Sequence, residues 1–228
     1  MRKKKTAAPA PAESAEPKYV YVLRTCNADM TSYGGFRWPE SGPVEAPDWD
    51  SSPRCGGGLH GFLHGEGDGA LASWDADAKW LVVSVAEDLI VQLDGKVKFP
   101  RGIVEFAGDR LAATTYISKR VGPRAVVGGT ATAGDGGTAT AGYRGTATAG
   151  YRGTATAGDR GTATAGDGGT ATAGDGGTAT AGYGGILVLT SWGGNRRRLV
   201  VLYPGENGIK PNVPYRLDAN GKPEEVKK

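Results

Sequence analysis

The strongest constraint in this chain is a period. From Gly129 the unit Gly-Thr-Ala-Thr-Ala-Gly recurs with threonine pairs at Thr130 and Thr132, Thr138 and Thr140, Thr146 and Thr148, Thr154 and Thr156, Thr162 and Thr164, Thr170 and Thr172, and Thr178 and Thr180, a spacing of eight throughout. In a β-strand successive side chains point to opposite faces, so each unit puts both Thr on one face and both Ala on the other. Only one face can be the core. A buried column of hydroxyls would need every hydroxyl bonded, whereas methyl side chains suit a tight interior. The pattern therefore predicts a β-solenoid with Ala131, Ala133 and their equivalents inside and the Thr pairs outside.

Each unit closes with Gly, a variable pair and another Gly, which is turn chemistry. Eight residues make one strand and one corner. A coil of three such strands lined only by Ala would leave a central void, and interiors pack to a density of about 0.75, so a flattened coil of two strands is expected. Seven units then give about three and a half coils, rising about 17 Å. In that register Asp135, Tyr151, Asp167 and Tyr183 share one corner, and Tyr143, Asp159 and Asp175 share the other. The expected corner contacts are Tyr143, Tyr151, Tyr183, Arg144, Arg152 and Arg160, with Arg144 and Arg160 stacked where they can screen the carboxylates of the second corner. The competing reading is a disordered Gly-Ala-Thr linker with too few large apolar residues to fold. Against it stand the unbroken period and apolar segments suited to capping both ends. Ala125-Val126-Val127 precedes the first coil. Ile186 to Trp192, a Gly193-Gly194-Asn195 turn and Leu199 to Tyr203 form a hairpin after the last.

The flanks bound the rest. The 39 glycines of the 228 residues concentrate in the repeat and in Gly56 to Gly69, a local bias rather than a disordered composition. A net charge of +3, with basic residues at the termini and at Arg196 to Arg198, implies no nucleic-acid partner. Met1 to Lys5 resembles the start of a signal peptide, but no apolar stretch follows in Thr6 to Pro17, and no run of about 18 apolar residues occurs, so a cytoplasmic chain with no membrane partner is expected. Residues 1–17 read as a Pro-interrupted disordered arm. Residues 18–120 read as a small α+β domain. Tyr19 to Arg24, Lys79 to Val85 and Leu89 to Leu93 are strand candidates, and Asn27 to Asp50 is an irregular loop. Asp94-Gly95 marks a hairpin into Lys96 to Phe99, and Asp109 to Ile117, carrying Leu111, Thr115 and Ile117 after an Asp cap, suits one short helix. Residues 121–185 are the solenoid and 186–228 a β cap and tail, so the fold class is mainly β.

The stretches at residues 140–147 and 148–155, each Thr-Ala-Gly-Tyr-Arg-Gly-Thr-Ala, resemble the octapeptide of bacterial ice-nucleation proteins, which has Ser in place of the second Gly. That resemblance implies a β-solenoid with outward Thr-x-Thr rows. It departs from the pattern in its Asp corners and its short array. Cys55-Gly56-Gly57-Gly58-Leu59-His60, with one extra Gly, is similar to the Cys-x-x-Gly-Leu-His stretch of uncharacterised bacterial and phage proteins that join a small domain to octapeptide repeats. No activity follows from that likeness.

Three function classes are consistent with these features. The leading expectation is a non-enzymatic structural protein that associates with itself through its solenoid. The second is binding of ice or another crystal surface through a grid of Thr hydroxyls and methyls, set against the plainer reading of Thr as a β-former on a solvated face. The third is an enzyme, from a faint similarity of Leu59-His60-Gly61 to the His motif of ADP-ribosyltransferases, with Arg24 and Glu105 on nearby strands. Cys26, Cys55, His60 and His64 are zinc-compatible types, but structural cysteine and loop histidine are the commoner explanation, so neither a metal nor a cofactor is expected. Gly65 to Gly69 reads as a flexible turn, and Trp38, Trp49, Trp74 and Trp80 as anchors of core and loops.

Overall fold

The computed structural model describes residues 17–227, so the expected N-terminal arm, apart from Pro17, lies outside the described residues. The first part is a seven-stranded antiparallel sheet built from β1 (Tyr19–Cys26), β2 (Gly42–Glu45), β3 (Leu59–Leu63), β4 (Lys79–Ala86), β5 (Val91–Gln92), β6 (Val97–Phe99) and β7 (Arg101–Gly108), in the order β2-β7-β4-β1-β3-β6-β5. The two most apolar runs lie at its centre. β1 and β4 pair along their full length, from Tyr19 opposite Ala86 to Cys26 opposite Lys79, and six consecutive residues of β4 are buried because both of its faces are covered.

One face carries α1 (Arg110–Val121), through Ala113 and Ile117 against Leu23, Trp80 and Val82. Asp109 caps it by accepting from the amide of Ala112 at 2.8 Å, and Lys119 and Arg120 complement the carbonyl end. The opposite face is covered by the segment after β1, which contributes Met30, Trp38, Val44 and Ala46 to a second core.

Several expectations change here. The segment Asn27 to Asp50 is largely irregular but contains β2, hydrogen-bonded to β7. The expected strand Leu89 to Leu93 shrinks to Val91–Gln92, because Glu87–Leu89 forms a 3-10 turn, while the hairpin at Asp94-Gly95 is present. The helix extends to Val121, and its inward face is Ala113, Thr114 and Ile117, with Leu111 left 62% exposed.

The solenoid is built from β8 (Thr130–Ala133), β9 (Thr138–Ala141), β10 (Thr146–Ala149), β11 (Thr154–Ala157), β12 (Thr162–Ala165), β13 (Thr170–Ala173) and β14 (Thr178–Ala181). Even-numbered strands form one parallel sheet and odd-numbered strands the other, each pairing 16 residues apart in exact register, Thr146 opposite Thr130 and Thr154 opposite Thr138. The coil is therefore two-sided. Ala139 to Ala181 fill the space between the sheets at 0–4% exposure, while Ala131 and Ala133 of the first strand are only partly covered. Every corner is a turn in which the second Gly donates to the first, for example Gly145 to Gly142 at 2.9 Å. The residue before that second Gly has positive φ in all seven corners, as Gly136, Gly168, Gly176 and Gly184 and as Arg144, Arg152 and Arg160.

The C-terminal end is closed by β15 (Ile186–Trp192), β16 (Arg197–Leu202), β17 (Tyr215–Leu217) and β18 (Pro223–Glu225). β15 continues the odd-numbered sheet in parallel and turns back antiparallel as β16. β17 and β18 extend the even-numbered sheet. Leu187, Leu189 and Tyr215 replace Ala in the core where the coils stop.

At the other end the solenoid docks on the sheet domain. The amide of Val127 donates to Gly65 at 2.9 Å, Arg124 pairs with Glu66 at 2.9 Å, and Tyr143 lies 5.6 Å from Trp74. Gly65 to Gly69, expected to be a flexible turn, is instead this docking loop, with Asp68 held to Gly95 at 2.8 Å. Any side chain at Gly69 would collide with the Tyr143 ring.

Two outcomes are expected in chemical denaturation of the full chain. Ala163→Leu, which places a larger side chain in a fully closed intersheet space, should lower stability by about 1–3 kcal/mol. Gly69→Ala should loosen the junction first, detected as faster proteolysis near residues 65–69 and 122–128 at unchanged circular dichroism of the solenoid.

Candidate functional site: two threonine faces and an N-terminal cleft

The in-register pairing decides what the solenoid shows to its surroundings. One sheet carries four ranks of outward threonine, Thr130 and Thr132, Thr146 and Thr148, Thr162 and Thr164, and Thr178 and Thr180. The other carries three, Thr138 and Thr140, Thr154 and Thr156, and Thr170 and Thr172. All fourteen are exposed or half-exposed. Beyond the third rank Ile186 and Val188 take the Thr positions, so the second face ends in an apolar strip that continues onto Leu199 and Val201 of β16, the following Tyr203 and Trp192, which are 44–67% exposed.

The corners explain the alternation of Asp and Tyr. An Asp at a corner accepts the amide of the corner residue one coil further on: Asp135 from Tyr151 at 2.8 Å, Asp167 from Tyr183 at 2.8 Å and Asp159 from Asp175 at 3.0 Å. The carboxylate occupies the space a side chain would need at Gly150, Gly174 and Gly182, so these positions must be Gly. Tyr143 is committed to the junction, while Tyr151 and Tyr183 are exposed. The arginines do not act as expected. Arg144 lies 4.9 Å over Trp74 and Arg152 lies 5.2 Å over the ring of Tyr151. The Asp159 carboxylate is met instead by Arg197 of the C-terminal hairpin at 3.0 Å. No ion pair of Arg160 occurs among the described residues, although its amide donates to Asp175 in the corner stack.

The N-terminal candidates fall into two groups. Arg24 and His60 meet at the end of β1 and β3, where the Arg24 guanidinium donates to the carbonyls of Thr25 at 2.8 Å and His60 at 3.0 Å. Glu105 belongs to neither of the cavities that Arg24 and His60 line; its carboxylate accepts from the Ser84 hydroxyl at 2.7 Å. The His-Arg-Glu trio of the enzyme reading is thus not assembled. Cys26 is buried, which raises its thiol pKa, and Cys55 is exposed and accepts from Lys96 at 3.2 Å. His64 sits in a left-handed turn, and burial and then Arg124 lower its pKa. No group of three or more His, Cys, Asp or Glu side chains among the described residues could hold a metal ion. No helix of the described residues is long and apolar enough to cross a membrane.

Burial first, and then the positive charge of Lys96, Arg24 and Lys98, pushes the His60 imidazole down to about 4. Sequence reading passed over both lysines. Lys98 lies between Val97 and Phe99 in a fully buried strand, and a lysine inside such an apolar run was the available signal.

Comparison with known proteins gives two kinds of match. Residues 20–119 match a family described only as a domain of unknown function, DUF7666. Over 101 residues the chain is 46% identical to an ice nucleation protein of Pseudomonas syringae, a match covering 43% of this chain and 9% of that protein. It is 45% identical to one of Xanthomonas campestris pv. translucens over 101 residues, 43% of this chain and 6% of that protein, and 42% identical to one of Pseudomonas fluorescens over 104 residues, 45% and 9%. The chain thus spans less than a tenth of the length of these relatives. No solved structure matches.

His60 gives a pH prediction. A histidine whose folded pKa lies below its unfolded value contributes stability above the unfolded pKa and loses it as pH falls toward the folded one. Stability should therefore drop between about pH 6.5 and 4, before most carboxylates protonate, with His64 adding in the same direction. Urea denaturation across that range should show the slope reduced by more than half in His60→Gln.

Proposed function

We propose that this is a non-enzymatic protein whose Thr-x-Thr faces order water and bind ice. The carrying observation is the register: Thr stacks on Thr from coil to coil of the four-rank sheet with no slip, so hydroxyls and methyls repeat at about 6.7 Å along a strand and about 4.8 Å between coils. A lattice of that regularity can be matched by ordered water over many sites at once, while the rigid backbone has little entropy left to lose on binding. The proteins it resembles carry the name ice nucleation protein, which supports this reading over a purely solvated scaffold. Four ranks make a small face, suited to adsorbing on ice or slowing its growth.

A second reading, self-association into an oligomer or filament, is favoured by a different observation. The apolar strip of Trp192, Leu199, Val201 and Tyr203 continues the three-rank face, where water would gain nothing from a hydroxyl lattice. The two readings combine if copies meet along the three-rank face and leave the four-rank faces outward.

Ice recrystallisation separates them. The natural chain should slow grain growth, and replacing the eight Thr of the four-rank face by Ala should remove most of the effect while circular dichroism stays unchanged; equal inhibition by both proteins sinks the ice reading. Light scattering should show Leu199→Lys with Val201→Lys lowering any association; monomers at all concentrations in the natural chain sink the second.

A further inference from the structure

The N-terminal domain has a feature the solenoid does not need. Arg24, Ser32, Tyr33, His60 and Lys96 line two adjoining cavities, of about 250 Å³ and about 630 Å³, and so form one wall of a continuous cleft beside the Gly56 to Gly58 loop. Its cations lack counter-ions. Arg24 is largely enclosed, with the Trp38 ring 5.2 Å away, and among the described residues its guanidinium makes hydrogen bonds only to two carbonyls. Three of its five N–H groups are left for another acceptor. Lys96 meets only the Cys55 sulfur, and neither residue forms an ion pair among the described residues.

Behind this wall Lys98, with no exposed surface, donates to the carbonyls of Arg54 at 2.9 Å and Gly56 at 3.1 Å and faces the Trp49 ring. It pins the Gly loop in place. Gly57 and Gly58 allow the loop to lie directly on Asp50 and Trp49, since a side chain at either would collide with them. The one carboxylate lining the cleft, that of Asp48, is turned to the amide of Gly58 at 3.1 Å. Enclosing an unpaired cation such as Arg24 is costly, and a bound anion would offset that cost. The imidazole Nε2 of His60 is also enclosed, with no hydrogen-bond partner among the described residues. At the rim Tyr33 stands fully exposed on a Gly34-Gly35 turn, an aromatic face with nothing packed on it.

We propose that this cleft binds a small molecule carrying a phosphate group beside a flat ring, with Arg24 and Lys96 holding the phosphate and Tyr33 stacking on the ring. Two free cations suit a dianion better than a monocarboxylate, and a guanidinium fork matches two phosphate oxygens. The lowered pKa of His60, caused in part by Lys96, Arg24 and Lys98, reports the positive potential an anion would meet there. The site is independent of the Thr faces.

The test is calorimetric titration of the full chain with inorganic phosphate and with adenosine 5′-monophosphate in buffers matched for chloride. Saturable binding of both is expected, with the nucleotide at least tenfold tighter. Lys96→Met and Arg24→Gln should each weaken nucleotide binding tenfold or more, and Tyr33→Ala should weaken the nucleotide but not phosphate. Lys96→Met, at a half-exposed position, carries the test if Arg24→Gln does not fold. The His60 imidazole resonance should shift on binding. No saturable binding of either probe, unchanged affinity in Lys96→Met, or a still His60 resonance overturns the site, and a nucleotide no tighter than phosphate overturns the part of Tyr33.

Discussion

The intersheet space of the solenoid is one alanine deep on each side, and everything else in the repeat follows from that thickness. Two sheets this close leave no room for a branched side chain, so the inner column must be Ala from Ala139 to Ala181. The chain must also reverse within four residues at each corner, which forces a left-handed residue and close backbone contact between coils. So thin a core buries little apolar surface per residue. Its stability rests on the ladder hydrogen bonds of two parallel sheets, on the Asp-to-amide bonds at the corners and on larger side chains at the ends.

Those ends are where the protein departs from its own period. Leu187, Leu189 and Tyr215 thicken the core at the C-terminal side, and Val126, Val127 and Tyr143 tie the N-terminal side to the antiparallel sheet through Trp74. Arg144 illustrates the exchange involved. A left-handed backbone costs a residue with a side chain about 1–2 kcal/mol relative to Gly, and at this corner the side chain recovers contact by lying over Trp74. Arg152, which lies over Tyr151, and Arg160 adopt the same backbone.

The solenoid was legible in the sequence because its signal is redundant: seven copies vote on each position, and a packing argument about Ala decides between two and three strands per coil. The N-terminal domain offers one copy of each signal. Strands β1 and β4 could be read because both faces are apolar, whereas β7 fully buries only Val104, beside a bulge, so its alternation is broken. β3 was hidden by Gly61, which is there because β1 passes too close for a side chain. The Thr array could be placed from the pattern alone. The cleft could not, since Arg24, Lys96 and His60 are 36 residues apart at each step and nothing local links them. Arg144 was assigned to a carboxylate on the same corner because Trp74 and Arg197, which divide those roles between them, arrive from outside the repeat.

The repeat has two periods, eight in sequence and sixteen in space, and they differ in what they allow the gene to do. Gain or loss of two units changes the length of the array while β15 remains on the odd-numbered sheet and each Asp keeps its place in the corner stack. Gain or loss of a single unit would hand β15 to the opposite sheet, turning the C-terminal hairpin to the far side of the molecule relative to the N-terminal domain. Growth of such an array is therefore quantised in whole coils, and its two faces keep their identities only if recombination respects that count.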